Sequence, residues 1–142
     1  MSLTAFFASR ARQVENVRVP ASSRFLDKAG EPIEWEIRCL GTEEEEAIRR
    51  ACAVRAPVPG KRGIFASETD HAKYLGRLAA ACTVFPNLQD RELQDSYGVM
   101  GAEALIKAML SPGEYADYVA RIQELCGFGR SVADKTAEIK NS

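Results

Sequence analysis

Apolar positions along this chain change their spacing twice. Leu3, Phe6 and Phe7, with Arg10, follow helical spacing and predict a short amphipathic helical segment within residues 1–13. From residue 14 to 40 the period drops to two. Val17 and Val19 alternate with polar neighbours, and Phe25-Leu26 leads into Asp27-Lys28-Ala29-Gly30, a turn signal with a glycine available for positive φ. Ile33, Trp35, Ile37 and Cys39 then alternate with Glu34, Glu36 and Arg38, which predicts a strand with one apolar and one charged face. The natural reading of 14–40 is a β-hairpin, with room for a third short strand before it. So small a sheet needs helices on its apolar face.

Helical spacing returns over 42–128. Thr42 can cap a helix whose third residue is Glu45, with Ala47, Ile48, Ala51 and Cys52 as its inner face. Pro57 and Pro59-Gly60 stop it, and residues 56–65 read as a loop. Ser67 or Thr69 opens the next helix, with a core stripe at Leu75, Leu78, Cys82 and Phe85, ended by Pro86. A short helix capped by Gln89 closes at Gly98. Another carries Ala102, Leu105, Ile106 and Met109 inward. The sharpest start is Ser111-Pro112-Gly113-Glu114. Ser111 caps, Pro112 suits the first helical position, Glu114 reaches back to the cap, and Leu110 staples to Tyr115. This helix carries Tyr115, Val119, Ile122 and Cys126 on one face and ends at Gly127. A last thin stripe, Val132, Thr136 and Ile139, predicts a helix over 131–140 within a 129–142 tail. The predicted fold is a single α+β domain over 1–142, predominantly α-helical. An N-terminal β-hairpin or small antiparallel sheet packs on a bundle of about five helices.

At 142 residues the chain has the commonest domain size. It buries roughly 70% of its unfolded surface, enough to hold a core without disulfides or metal. The net charge of −1 argues against a dedicated nucleic-acid binder, which needs a basic excess to neutralise phosphates. The charges are unevenly placed: seven glutamates and one basic residue, Arg38, fall between Glu31 and Glu46. Solvated faces account for them, and four of the glutamates sit at the positive end of a helix dipole. The alternative is one half of an electrostatic match with a partner. Cys39, Cys52, Cys82 and Cys126 are widely spaced, with no CxxC pair, so no metal site is expected; they read as reduced, buried and intracellular. Neither a signal peptide nor an apolar run of the roughly 20 residues that span a bilayer is present.

His71, the sole histidine, follows Asp70, but no GxSxG elbow or cysteine-protease signature accompanies them. Gly60-Lys61 lacks the spacing of a phosphate loop. Trp35, the one tryptophan, reads as a core anchor between sheet and helices. No catalytic, cofactor-binding or metal-binding residue is assigned.

Read together, PIEWEIR (32–38), PVPGK (57–61), KYLGRLAAACTVFPNLQDRELQDSYGVMGAEALIKAML (73–110) and SPGEYADYV (111–119) resemble the XkdN-like family of phage tail assembly chaperones. SLTAFF near the start and IQELCGF near 128 fit as well, and the resemblance spans nearly the whole chain. It implies a non-enzymatic assembly factor of a tailed phage or prophage. Such factors are made in the host bacterial cytoplasm, hold the tape measure protein soluble, help recruit tail-tube subunits, and are absent from the mature virion. The implied partners are therefore the tape measure protein and tail-tube protein; self-association is a further expectation, and charge and apolar run length predict no nucleic acid and no membrane. The family offers no binding motif to carry over. From the residues themselves, the expected contact is the Leu3-Phe6-Phe7 patch or the thin C-terminal helix, because both have apolar faces too small to explain their order. Docking of the first segment on its own domain is the competing expectation.

Overall fold

The computed structural model describes residues 2–128. After a 3-10 turn at Thr4–Phe6, the order is β1 (Val17–Val19), β2 (Trp35–Ile37), α1 (Thr42–Ala51), β3 (Ala53–Pro57), β4 (Phe65–Thr69), α2 (His71–Cys82), β5 (Thr83–Phe85), α3 (Arg91–Ser96), α4 (Ala102–Met109) and α5 (Pro112–Leu125). The α+β class holds. The sheet, however, is not an N-terminal hairpin set on a bundle. β2 is its central strand, paired antiparallel with β1 on one side and with β5 on the other. The third strand therefore arrives from beyond α2, not from before β1. A second antiparallel pair, β3–β4, flanks the expected loop: residues 58–64 are turn and coil, while 56, 57 and 65 lie in the strands. The helix predicted over 131–140 lies outside the described residues.

β2 is shorter than its alternating pattern. Trp35 and Ile37 are buried, each 1% exposed, while Ile33 and Cys39 fall outside the strand. The Ile33 N–H instead donates to the Phe25 carbonyl (2.7 Å), closing the expected turn, where Asp27 accepts from the N–H groups of Ala29 and Glu31 and Gly30 takes φ +81°. Trp35 anchors the core as predicted. Tyr118 of α5 meets it edge-on at 5.2 Å between ring centroids, and Phe25 flanks it at 6.2 Å. Around this contact gather Ile37, Leu78, Cys82, Leu105, Ile106, Val119 and Ile122. α2 lies at the centre, touching α1, α4, α5 and β5. Gly76 and Ala79 on its buried face let the neighbours approach closely.

Three helix starts differ from the sequence reading by one residue. α1 is capped at Gly41, whose N–H donates to Glu44 (3.3 Å), so Thr42 and Glu45 form no box. That frame turns Glu45, Ile48 and Cys52 inward and leaves Ala47 and Ala51 exposed. α2 starts at Asp70, which accepts from the Lys73 N–H (3.2 Å), and α3 at Asp90, which accepts from the Leu93 N–H (2.8 Å). A carboxylate outcompetes the adjacent Thr69 or Gln89 as a cap. The α2 stripe is Tyr74, Leu78 and Cys82; Leu75 is half-buried, and Phe85 is exposed because it sits opposite Glu36 on the outer face of the sheet.

α5 begins as its sequence dictates. Ser111 Oγ accepts from the Glu114 N–H (3.3 Å), the Ser111 N–H donates to Glu114 (2.9 Å), and Pro112 opens the helix. Its far end is a Schellman motif. Gly127, at φ +80°, donates to Glu124 (3.0 Å) and Phe128 donates to Gln123 (2.9 Å). The buried face is Tyr118, Val119 and Ile122, with Tyr115 and Cys126 half-buried at its edges. Ser111→Ala is expected to cost about 1 kcal/mol in urea unfolding and to leave partner binding by the folded protein intact. A loss of binding without a loss of stability would contradict a purely architectural role.

Candidate interaction surfaces

Residues 2–13 hydrogen-bond only among themselves. Phe6 N–H donates to Leu3 (2.9 Å), Phe7 N–H to Thr4 (3.1 Å), and Arg10 and Ala11 N–H groups to Phe7 (2.8 and 2.9 Å). None of its residues is buried. Leu3, Phe6 and Phe7 are 70%, 75% and 56% exposed. The expected helix is thus reduced to a 3-10 turn and a following turn, and the expected docking on the domain does not occur. The physical reason is length. About ten residues without a packing surface fall below what an isolated helix needs. Three large apolar side chains within five positions stand in solvent, beside Val14, which is also exposed.

A second exposed element was not legible in the sequence. β3 and β4 pair over five positions, from Ala53 opposite Thr69 to Pro57 opposite Phe65. Of their residues only Ala56 is even half-buried. Val58-Pro59-Gly60-Lys61 makes the tip, with the Lys61 N–H donating to Val58 (3.1 Å) and Gly60 at φ +76°. That is a type II turn, which takes proline second and glycine third. Residues exposed on both faces carry no period for a pattern search to find.

Polar groups near the core are engaged structurally. Asp70 caps α2, and the His71 ring lies 6.3 Å from that of Tyr74 in a stacked arrangement. Glu45, expected among the solvated glutamates, is buried. It accepts from the Tyr74 hydroxyl (2.8 Å) and pairs with Arg49 one turn on. Burial, then Glu45, pushes the Tyr74 phenol up to about 12. Thr83 Oγ donates to the Ala79 carbonyl and sits 2.7 Å from the Tyr118 hydroxyl. A hydroxyl has one proton to give, so Tyr118 donates to Thr83. Cys52 and Cys82 are buried; Cys39 and Cys126, expected buried, are half-buried. Burial pushes the Cys39 thiol up to about 11 and that of Cys82 to about 12, the opposite of an activated nucleophile. Among the described residues no group of three or more His, Cys, Asp or Glu side chains is arranged to hold a metal, and no helix is long and apolar enough to cross a membrane.

The match to known proteins follows the whole fold and not a pocket. The model of the phage XkdN-like tail assembly chaperone proteins matches residues 3–140. The chain belongs to that family. Two relatives from Bacillus subtilis (strain 168) align over 140 residues, 98% of this chain and 93% of each relative. They are the phage-like element PBSX protein XkdN at 26% identity and the uncharacterized protein YqbN at 29%. The crystal structure of YqbN superposes with a TM-score of 0.74 at 26% identity, covering 90% of this chain and 98% of that one. For a tail assembly chaperone the functional surface is where a partner binds, and the exposed apolar residues above are its candidates. Neither element contributes to the core cluster. Replacing Leu3, Phe6 and Phe7 together with alanine is therefore expected to shift unfolding free energy by no more than about 0.5 kcal/mol, read by chemical denaturation.

Arg24 ties the two halves of the domain. Its guanidinium donates to the Met109 carbonyl at the end of α4 and to Glu114 in the first turn of α5 (3.1 Å). The Ser111 N–H first, then Ser22 and Arg24, hold the Glu114 carboxyl at about 2, well below its ordinary 4.5. Folding favours the ionised form, so this contribution is fully present above pH 4.5 and is lost as pH falls toward 2. Glu114→Gln is expected to melt below the wild type at neutral pH. Calorimetry from pH 6 downward should show the two melting temperatures converging.

Proposed function

We propose that this chain binds the tape measure protein of a tailed phage or prophage in the host bacterial cytoplasm and helps bring tail-tube subunits to it. It acts without catalysis and does not remain in the finished virion. The observation that carries the reading is the family match over nearly the whole chain. It is joined by an apolar cluster, Leu3, Phe6 and Phe7, that the domain leaves in water. Exposed apolar groups suit a role in shielding the apolar stripe of a long helical partner, where each buried side chain contributes about 1.5–3 kcal/mol. Two aromatics and a leucine on one short segment are the kind of anchor that dominates such contacts. Assignment of these three residues as partner-binding rests on that exposure.

A pull-down tests it. Tagged chain, co-expressed with the tape measure protein of the same phage or prophage, should retain that protein in the soluble fraction. A chain lacking residues 2–12 should retain much less while keeping its melting temperature. Unchanged retention would dispose of Leu3, Phe6 and Phe7 as the contact. Mass spectrometry of purified particles should find no copies of the chain; stoichiometric copies would make it a structural tail component instead.

A further inference from the structure

We propose that the β3–β4 arm of one chain seats in an acidic groove beside the three-stranded sheet of a second copy. The arm is a concentrated basic and apolar element. Between Ala53 and Thr69 the chain carries Arg55, Lys61 and Arg62 against a single carboxylate, Glu68 in β4, although the protein as a whole is slightly acidic. Among the described residues Arg55, Lys61 and Arg62 pair with no acidic side chain. Arg55 lies over the Phe65 ring at 5.5 Å, and Ile64 and Phe65 are each half-exposed at the tip. Five paired positions at about 3.4 Å per residue make the arm roughly 17 Å long.

The complementary surface is on the same molecule. A groove of about 440 Å³ on the outer side of the sheet is lined by Asp27, Glu34 and Glu36 with Ile33 and the exposed ring of Phe85. Its one cation, Arg18, is already paired with Glu36 (3.7 Å). Glu34 has no basic partner among the described residues. No residue of the arm lines the groove of its own chain. Lys61 and Arg62 supply the charge that Asp27 and Glu34 lack, and Ile64 and Phe65 supply apolar surface to cover Ile33 and Phe85. Opposite charge fixes the orientation and speeds encounter, while the apolar pairs hold the contact. Arm and groove are different patches, so the contact is heterologous. It closes when two chains exchange arms and propagates when they do not.

Sedimentation velocity on the full chain over a range of concentrations tests the contact without the tape measure protein, so its failure leaves the tape-measure reading standing. The wild type should self-associate, and salt should weaken the association. Lys61→Glu with Arg62→Glu, and separately Glu34→Lys, should each weaken it at least about tenfold with melting temperatures unchanged. Mixing the two variants should restore association, because each supplies the patch the other has reversed. A wild type that stays monomeric overturns the proposal. So does association that either variant leaves untouched, or variants that do not complement each other.

Discussion

The edge-on contact between Trp35 and Tyr118 is the joint on which the domain depends. Three strands of three residues each cannot hold together in water by their own ladder bonds, which are too few to offset the order they impose. Trp35 sits on the central strand, and its indole is covered by Tyr118 of α5 together with Phe25. The phenol hydroxyl of that same tyrosine donates to Thr83, the first residue of β5. One side chain therefore packs on the middle strand and is hydrogen-bonded to an outer one. The placement of α5 is set in turn by its first turn, where Arg24 from the β1–β2 connection reaches both the last carbonyl of α4 and the carboxylate of Glu114. Sheet, connection and α5 are a closed circuit, with α2 running through its centre.

What could be read from sequence is what is decided locally. The start of α5 needs only a few consecutive residues, and the Ser111 cap, the Glu114 return bond and Pro112 at the first position all formed as expected. The turn at 27–30 is equally self-contained. The three shifted caps show where local reading loses resolution: adjacent residues compete for the cap, and a carboxylate takes it at α2 and α3 while Gly41 takes it at α1. Longer-range decisions were illegible. β5 is three residues wedged between a helix and a proline, and its pairing with β2 joins residues 46 and 49 positions apart, Ile37 with Thr83 and Glu36 with Phe85. Glu45 looked like one of four solvated glutamates; its burial depends on Tyr74, 29 residues away. The family pattern nonetheless came through, because it is spread over many such locally written pieces in a fixed order.

The candidate surfaces divide the same way. Leu3, Phe6 and Phe7 were visible as an apolar cluster, but whether they docked depended on a core already complete without them. The arm was invisible because both its faces meet solvent, so neither period two nor period 3.6 is written into it. Its basic character was in the sequence all along, hidden by a near-zero total. Charge that cancels over a chain does not cancel at a surface.

The base of the arm has one more consequence. The chain leaves the helical core at Cys52 and returns at Asp70, and these two residues are joined by a hydrogen bond of 2.8 Å from the Asp70 N–H to the Cys52 carbonyl. Everything between departs and comes back through a single point. The entropic cost of such an excursion rises only with the logarithm of its length, and its side chains take almost no part in the interior. The arm is thus a detachable module. Insertions, deletions and wholesale changes of charge can accumulate there while the domain that carries it stays the same, and selection for a new neighbour can proceed without first renegotiating the fold.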